Sequence, residues 1–326
     1  MSQHKQTNDD GIENIPKRLQ DPGFNTVEEY LQYFDTKMAQ EAMKRQQFVQ
    51  STHTQENVLN PYKNRYSDIL PYAHSQPTNN YFNGNYVSLC GIKFLVSQAP
   101  IDILQFHDLV WECDVSQIVQ VSPFVENGFS KVSRYVPLCN EESSDFTRES
   151  IQAAYAQECY IQQKRLDPNV FDVRKLPFFK NTLVTENSLQ VESSSFVDYQ
   201  YFIKMSLEYK SQISKSKYIQ YIYYKNWADQ SAPSNFQHVF DVCSILDIEK
   251  TILVHCSAGI GRSATLIICL AITKQMKERK TEWKQLNPSI FNMVEEMRLN
   301  RNPNCIQTRQ QFKFLFDFAE WCGKNE

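Results

Sequence analysis

The sequence lacks a long apolar run and an excess of charge of either sign. Its 326 residues carry 34 Lys and Arg against 37 Asp and Glu, a net charge of −3. That balance gives no general electrostatic basis for binding nucleic acid or an anionic membrane. The longest uncharged apolar stretch, residues 264–273, is far shorter than the roughly 20 residues of a membrane-spanning helix. We therefore expect no nucleic-acid partner and no membrane span; the oligomeric state is not readable.

CxxC pairs and a secretory signal are also missing. The first 17 residues are polar and contain no apolar core, which predicts a cytoplasmic, reducing location. An odd number of scattered cysteines favours free thiols over a disulfide framework or a zinc site, so we expect no metal and no cofactor. The nine cysteines are Cys90, Cys113, Cys139, Cys159, Cys243, Cys256, Cys269, Cys305 and Cys322.

The remaining pattern predicts one catalytic domain behind a short N-terminal segment. Residues 1–24 are polar and are expected to be flexible. Residues 25–326 form the predicted domain, with a first helix over about 26–48 and a core over about 57–321. Thr26 and Glu29 form a capping-box pattern, and strand-like runs alternate with helical ones, which predicts an α/β or α+β fold with a mixed sheet. The first helix repeats apolar residues at helical spacing, at Val27, Leu31, Phe34, Met38 and Ala42.

The most informative stretch is "VHCSAGIGRSATLIICLAIT", residues 254–273. A buried strand, a glycine-containing turn and a helix follow one another, so the N–H groups of the turn and the helix dipole converge on one concavity. An anion of phosphate size fits there, and Arg262 can grip two of its oxygens. The predicted loop consists of Ser257, Ala258, Gly259, Ile260 and Gly261, whose glycines permit close backbone approach.

The N–H groups of the turn and the helix dipole also act on the thiol of Cys256. A thiol that faces N–H groups and a helix N-terminus loses its proton easily, which makes Cys256 a nucleophile near neutral pH. Attack on a bound phosphate ester would give a phosphocysteine and split hydrolysis into two steps. His255 precedes it on a strand, where successive side chains point to opposite faces. We therefore expect His255 to support the loop rather than to act as a base.

"HCSAGIGRS" resembles the signature of cysteine-dependent protein tyrosine phosphatases, and further segments resemble the phosphotyrosine-specific, non-receptor members of that family. They are "NPYKNRYSDILPY", "ENGFSKVSRYVP", "NWADQSAP" and "CIQTRQQF". The resemblance covers about residues 57–321. It implies a single domain with a central, highly twisted mixed sheet flanked by helices, and hydrolysis of phosphotyrosine in proteins.

The resemblance also assigns roles in catalysis. Asp229, on a Pro-flanked loop supported by Trp227, would donate a proton to the departing tyrosyl oxygen and later accept one from water. Gln307 and Gln311 would orient that water. Ser263 would donate a hydrogen bond to the departing thiolate.

Further residues would select the substrate. Tyr66 would stack on the substrate ring and make the pocket too deep for phosphoserine. Asp68 would accept hydrogen bonds from the peptide backbone. Glu126 would pair with Arg262, while Lys131 would lie at the rim near Asp229.

The sequence departs from the family pattern in several places. Ala228 replaces the proline usual before the acid, which predicts a more mobile acid loop. Ala99 and Ala264 replace glycines, and Val136 replaces a core tryptophan. Two alternatives therefore stay open: a phosphotyrosine-binding pseudophosphatase that sequesters substrates, and a phosphoinositide or dual-specificity phosphatase. The uncharged loop argues against the second, since a polyanionic head group calls for lysines there.

The compact, divergent form is similar to phosphatases carried by parasitoid-wasp bracoviruses. That resemblance would make the chain a viral signalling protein in the cytoplasm of host cells.

Overall fold

The computed structural model describes residues 17–52, 60, 63–127, 129–133, 135–137, 182–185, 187–225, 227–279 and 286–325. Most of the predicted flexible segment 1–24, the predicted start of the core at residue 57 and two of the cysteines, Cys139 and Cys159, lie outside these residues. The other seven cysteines are free thiols.

The chain begins with a helical arm in three parts: α1 (Val27–Tyr33), a π-helical turn (Phe34–Met38) and α2 (Ala39–Thr52). The predicted capping box is confirmed, because Glu29 N–H donates to Thr26 Oγ1 at 3.3 Å and Thr26 N–H donates to the Glu29 carboxylate at 3.0 Å. The arm extends four residues past the predicted end at 48. The apolar repeat lies against the body of the protein, with Leu31, Phe34 and Met38 buried.

A buried ion pair ties this arm to the rest of the molecule. Arg45 and Glu295 are 1% and 0% exposed, and Arg45 Nη2 lies 2.9 Å from Glu295 Oε2. The same carboxylate oxygen accepts from the N–H of Leu19 at 3.0 Å. Removing either charge would strand the other in a buried position, which makes the pair a strong constraint on where the arm docks.

Within the described ranges, eight strands form one mixed sheet in the order β1-β2-β10-β3-β9-β8-β7-β6, and β4 and β5 pair separately. The strands are β1 (Gly84–Leu89), β2 (Ile92–Ser97), β3 (Val115–Gln120), β4 (Val125–Glu126), β5 (Phe129–Ser130), β6 (Thr182–Val184), β7 (Gln190–Asp198), β8 (Phe202–Lys210), β9 (Lys217–Tyr224) and β10 (Thr251–His255). The remaining helices are a short 3₁₀ turn (Ala73–Ser75), α3 (Ile103–Glu112), α4 (Phe236–Ser244), α5 (Arg262–Arg279), α6 (Asn287–Asn300) and α7 (Arg309–Asn325). The prediction of a mixed sheet flanked by helices is confirmed.

Four adjacent central strands run parallel: β2, β10, β3 and β9. Parallel strands bring their carboxyl ends to one edge of the sheet, and the loops that leave this edge form the usual binding crevice of such sheets. The segments that follow these strands contain, in the same order, Ala99, Cys256, Glu126 of β4 and Asp229. Residues up to 157 positions apart in the chain therefore meet at one edge.

The central strands are buried on both faces, as parallel strands usually are. Along β10, Ile252 and Val254 belong to a first apolar cluster, which includes residues of α4 to α7. Leu253 between them belongs to a second cluster on the opposite face, which includes residues of α3. Among the described residues, no helix combines the length and apolar character that crossing a membrane requires.

Candidate active site

The loop between β10 and α5, residues 256–261, is held by its neighbouring strands. Ala99 N–H, just after β2, donates to Ser257 O at 2.9 Å, and Val121 N–H, just after β3, donates to His255 O at 2.9 Å. These bonds extend the parallel ladder by one step on each side of β10. The sheet itself thus sets the direction in which the loop leaves.

The two loop glycines are required for different reasons. Gly259 has φ +72°, and a Cβ placed there would lie 2.0 Å from the backbone oxygen of Ser97, so both conformation and space exclude a side chain. At Gly261 a Cβ would meet Gln307 Oε1 at 2.3 Å and Gln311 Nε2 at 3.1 Å. The second glycine therefore lets two glutamine amides approach the loop backbone.

Cys256 lies at the centre of this loop and is 2% exposed. Gly259 N–H donates to its Sγ at 3.2 Å, and α5 begins six residues later at Arg262. Burial alone would raise the pKa of the thiol, but the charge of Arg262, the nearby polar groups of Ser263 and the hydrogen bond from Gly259 N–H outweigh it and lower the pKa below its ordinary value. The arrangement is that of a nucleophilic thiolate.

Arg262 is 1% exposed and is held at both terminal nitrogens. Nη1 donates to Trp227 O at 2.8 Å and lies 3.4 Å from Glu126 Oε2, while Nη2 donates to Asp229 Oδ1 at 3.0 Å. Its Nε is buried with no partner in the described part of the chain. Glu126 and Trp227 thus fix the plane of the guanidinium fork, and Asp229 occupies one of its arms.

Asp229 is held as a carboxylate between two cations. Its Oδ2 accepts from Lys131 Nζ at 2.8 Å, and its own N–H donates to Glu126 Oε1 at 2.7 Å. Burial would raise the pKa of Asp229, but Lys131 and Arg262 together lower it below the ordinary value. In this state Asp229 is suited to accept a proton rather than to donate one.

The acid loop is closed over the thiol. Trp227 Nε1 donates to Ser231 O at 2.9 Å, and Gln311 Nε2 donates to the same oxygen at 3.2 Å. Together with the Arg262 contacts, these bonds hold the acid loop, residues 227–231, against the phosphate loop, residues 256–261. Asp229 therefore occupies Arg262 Nη2, one of the two terminal nitrogens that could hold a phosphate oxygen.

Tyr66 lies over the phosphate loop with its hydroxyl turned inward. Ser257 Oγ donates to Lys131 O at 2.8 Å, so the Tyr66 hydroxyl, 2.8 Å away, donates to Ser257 Oγ. The ring packs against the first apolar cluster. Asp68 is exposed on the same segment, where its carboxylate is free to meet a peptide; its carbonyl accepts from Gln46 Nε2 at 2.5 Å.

The two glutamines differ in exposure. Gln311 is fully buried, and its Oε1 accepts from Gln307 N–H at 2.9 Å. Gln307 is exposed with its amide against Gly261. Ser263 is buried with its hydroxyl near the sulfur, where it lowers the pKa of Cys256.

His255 and Cys256 lie on opposite faces of the sheet. Cys256 belongs to the first cluster, whereas the His255 ring contacts Tyr135 of the second cluster with ring centroids 5.2 Å apart. Burial lowers the pKa of His255 to about 4, so the ring is neutral at pH 7. His255 Nδ1 lies 3.0 Å from Cys256 O, which supports the loop from behind.

Sequence reasoning missed one buried cation beneath the loop, Arg301. It is 0% exposed and donates to Gly259 O at 3.2 Å and to Ala258 O at 3.3 Å. Its other contacts are Asn85 Oδ1 at 3.1 Å and Asn83 Oδ1 at 2.9 Å. The loop turns its N–H groups toward the thiol and its carbonyls toward this arginine. The only available signal was an arginine six residues before Gln307, a spacing that identifies nothing by itself.

The alanine and valine departures are accommodated. Ala99 adopts no left-handed backbone, and Ala264 lies in the first turn of α5. Val136 is 0% exposed in the second cluster. No group of three or more His, Cys, Asp or Glu side chains in the described ranges could hold a metal ion.

Comparison with known sequences identifies the family of this fold. A family model described as protein-tyrosine phosphatase matches residues 60–320. Human tyrosine-protein phosphatase non-receptor type 12 is 27% identical over 282 residues, covering 81% of this chain and 30% of the relative. Tyrosine-protein phosphatase 2 of Schizosaccharomyces pombe is 24% identical over 276 residues, covering 79% and 33%. The chain thus spans less than half of the length of these relatives.

Solved structures share the same architecture. A structure of PTPN18, from work on HER2 tyrosine phosphorylation sites, has a TM-score of 0.62 at 20% identity and covers 91% of this chain and 99% of its own. The Trypanosoma cruzi protein tyrosine phosphatase TcPTP1 has a TM-score of 0.63 at 20% identity, covering 83% and 85%. At this level of identity the likeness concerns the fold.

Proposed function

Since the chain belongs to the protein-tyrosine phosphatase family, we propose that it hydrolyses phosphotyrosine in proteins through a phosphocysteine intermediate. The observation that carries the proposal is the surroundings of Cys256. Its sulfur accepts from Gly259 N–H at 3.2 Å, and the charge of Arg262 helps to lower its pKa. A buried thiolate next to a guanidinium fork is suited to attack a phosphorus atom held by that fork.

The first step transfers the phosphoryl group to sulfur. Cys256 Sγ forms a bond to phosphorus while the bond from phosphorus to the tyrosyl oxygen breaks, and Asp229 in its acid form gives that oxygen a proton. The phosphate dianion displaces the Asp229 carboxylate from Arg262. The negative charge of the dianion then raises the pKa of Asp229, which allows Asp229 to be protonated when a leaving group is present.

The second step hydrolyses the phosphocysteine. A water placed by the Gln307 amide attacks phosphorus, and the Asp229 carboxylate accepts the proton of that water. The bond between phosphorus and sulfur breaks, inorganic phosphate leaves and the Cys256 thiolate is restored. The Ser263 hydroxyl stabilises the sulfur anion as it forms.

Phosphotyrosine is favoured over phosphoinositides by the composition of the loop. Residues 257–261 carry no basic side chain, whereas a polyphosphorylated head group calls for several cations. Tyr66 packs over the loop from one side and leaves Asp68 exposed beside it. The proposed partners are phosphotyrosine-containing proteins, with Lys131 at the rim close to Asp229.

A second candidate is a phosphotyrosine-binding protein without turnover. It is favoured by the direct contact between Asp229 Oδ1 and Arg262 Nη2 at 3.0 Å. Through this contact the acid loop occupies the guanidinium that a phosphate would need. A chain that opens to bind phosphotyrosine but fails to protonate Asp229 would sequester substrates. The intact thiol, acid and guanidinium favour the enzyme over this alternative.

The experiment is single-turnover and steady-state hydrolysis of a phosphotyrosine peptide by the wild type, Cys256→Ser and Asp229→Ala, with a phosphoserine peptide as the control. The enzyme predicts turnover by the wild type alone and on phosphotyrosine alone. Binding of the peptide without a burst of product would establish the sequestering protein instead. Equal or faster cleavage of phosphoinositides would contradict both assignments. The cytoplasmic location and the bracovirus origin stay predictions.

A further inference from the structure

A buried histidine on α3, His107, is part of a path of hydrogen bonds that ends at the phosphate loop, residues 256–261. It is 0% exposed, with Nε2 2.7 Å from Tyr135 O and Nδ1 2.6 Å from the Tyr209 hydroxyl. Because a carbonyl only accepts, Nε2 carries the proton and Tyr209 donates to Nδ1. Burial lowers the pKa of His107 to about 4, so the ring carries one proton at pH 7.

The side chain of Tyr135 continues the path. Its hydroxyl lies 2.6 Å from His255 Nε2, and His255 Nδ1 lies 3.0 Å from Cys256 O. By the same rule Nδ1 of His255 carries the proton, so the Tyr135 hydroxyl donates to Nε2. Four donations therefore run in one direction, from Tyr209 through His107, Tyr135 and His255 to Cys256 O.

The path joins groups that are far apart in the chain. Tyr209 on β8 and His107 on α3 are 102 positions apart in the sequence. Tyr135 and His255 are 120 positions apart. His107 contacts the backbone carbonyl of Tyr135, whereas the next bond starts from the Tyr135 hydroxyl. Each pair of bonds polarises internally, and the two pairs are joined by the covalent frame of Tyr135, whose position the first pair fixes. The last acceptor belongs to the peptide that joins Cys256 to Ser257, where the phosphate loop begins. Its orientation decides where the next N–H groups point.

We propose that His107 and Tyr209 are positioning residues for the reaction of Cys256. The pair fixes Tyr135, and Tyr135 fixes the tautomer and plane of His255, which orients the first peptide of the phosphate loop. The inference rests on the proposed phosphatase function. Neither residue touches substrate. A phenylalanine at 107 would fill a similar volume but would leave Tyr135 O and the Tyr209 hydroxyl without partners in an apolar core.

The primary test is Tyr209→Phe, which removes only the first donor of the path. Tyr30→Phe is the matched control: Tyr30 is also 0% exposed, and its hydroxyl donates to Asp21 Oδ1 at 2.9 Å, away from the path. Three quantities are measured for each variant: kcat and KM on a phosphotyrosine peptide, the midpoint of thermal unfolding, and the pKa of Cys256. The last comes from the pH dependence of Cys256 alkylation by iodoacetamide, followed by mass spectrometry.

Tyr209→Phe is expected to lower kcat about fivefold, as expected for the loss of one hydrogen bond, and to raise the pKa of Cys256 with KM unchanged. Tyr30→Phe is expected to lower the unfolding midpoint alone. His107→Gln keeps a donor for Tyr135 O, so its kcat and its Cys256 pKa should lie between those of the wild type and those of His107→Phe. Tyr209→Phe and His107→Gln together keep the test decisive if His107→Phe does not fold.

The proposal is overturned if Tyr209→Phe and His107→Gln have the same kcat and the same Cys256 pKa as the control variant Tyr30→Phe, whatever their thermal stability. Alkylation needs no turnover, so failure of the proposed function is separable from failure of this inference. A wild type that alkylates normally but hydrolyses nothing would refute phosphatase activity, and the shift in the Cys256 pKa would still test the positioning pair.

Discussion

Asp229→Asn is expected to tighten the binding of inorganic phosphate while it abolishes most turnover. Asp229 Oδ1 accepts from Arg262 Nη2 at 3.0 Å, so phosphate that binds this nitrogen must break that charge-assisted bond. Such bonds contribute about 1.5–3 kcal/mol. Because the Asp229 side chain is 35% exposed, screening by solvent favours the lower end of that range. About 1.5 kcal/mol corresponds to roughly tenfold tighter phosphate binding.

Isothermal titration with inorganic phosphate at pH 7 measures this change directly. Lys131→Met is the first control, since it removes the other cation on Asp229 but leaves the carboxylate next to Arg262; it should bind phosphate no more tightly than the wild type. Asp198→Asn is the second control, because Asp198 pairs with Lys225 and its loss changes the net charge by the same amount. Turnover by Asp229→Asn should fall roughly 10²- to 10⁴-fold through loss of the general acid.

The reasoning is refuted if Asp229→Asn binds phosphate within twofold of the wild type while Arg262→Ala abolishes binding. That pair of results would mean that phosphate uses Arg262 without competing with Asp229. The closed acid loop would then have no bearing on substrate affinity.

Three further predictions concern the frame around the site. Gly259→Ala should lower kcat at least 100-fold because its Cβ would meet Ser97 O at 2.0 Å. Gly91→Ala, with φ +77° but only an ordinary contact to Lys274 Nζ at 3.6 Å, should lose only about 1 kcal/mol of unfolding free energy and no activity; equal kcat for the two variants would contradict this. The free energy of unfolding, measured with urea, should fall as the pH drops from about 6.5 towards about 4, by up to about 1.4 kcal/mol per pH unit for each of His107 and His255. Both histidines protonate in the unfolded chain but stay neutral in the folded protein, so an unfolding free energy that does not change over this pH range would exclude the prediction. Arg301→Met should destabilise the protein by roughly 3 kcal/mol or more, since three buried acceptors and one half-buried acceptor lose their donor. A urea midpoint unchanged from the wild type would count against that role.

The local features of the site were predictable because each depends on short-range physics. The capping box at Thr26 and the opposite orientation of His255 and Cys256 follow from the periods of helix and strand. The sequence also predicted that the loop glycines allow a close approach of the backbone, although the groups that approach Gly259 and Gly261 in the structure are Ser97 O and two glutamine amides. Each of these signals lies within a few residues.

The features that escaped prediction depend on distant contacts or on the state of a loop. Arg301 reaches Gly259 across 42 positions and His107 reaches Tyr209 across 102, and no local pattern distinguishes either residue from an ordinary helix residue. Sequence reasoning placed Lys131 near Asp229 but did not foresee that Asp229 would rest on Arg262. That contact depends on whether the acid loop is open or closed.

We propose that Arg262 couples activation of the Cys256 nucleophile to closure of the acid loop. Its charge lowers the pKa of Cys256, and its two terminal nitrogens hold Trp227 O and Asp229. A phosphate dianion can take over the arm that Asp229 occupies and leave the Trp227 contact intact, so the loop can close again over the substrate. The displaced carboxylate then faces a dianion instead of a guanidinium, which turns the shift in its pKa from downward to upward. In the proposed reaction, Asp229 thus becomes an acid only when phosphate is bound. Ala228, which lacks the fixed φ of a proline, leaves the backbone free to make that exchange.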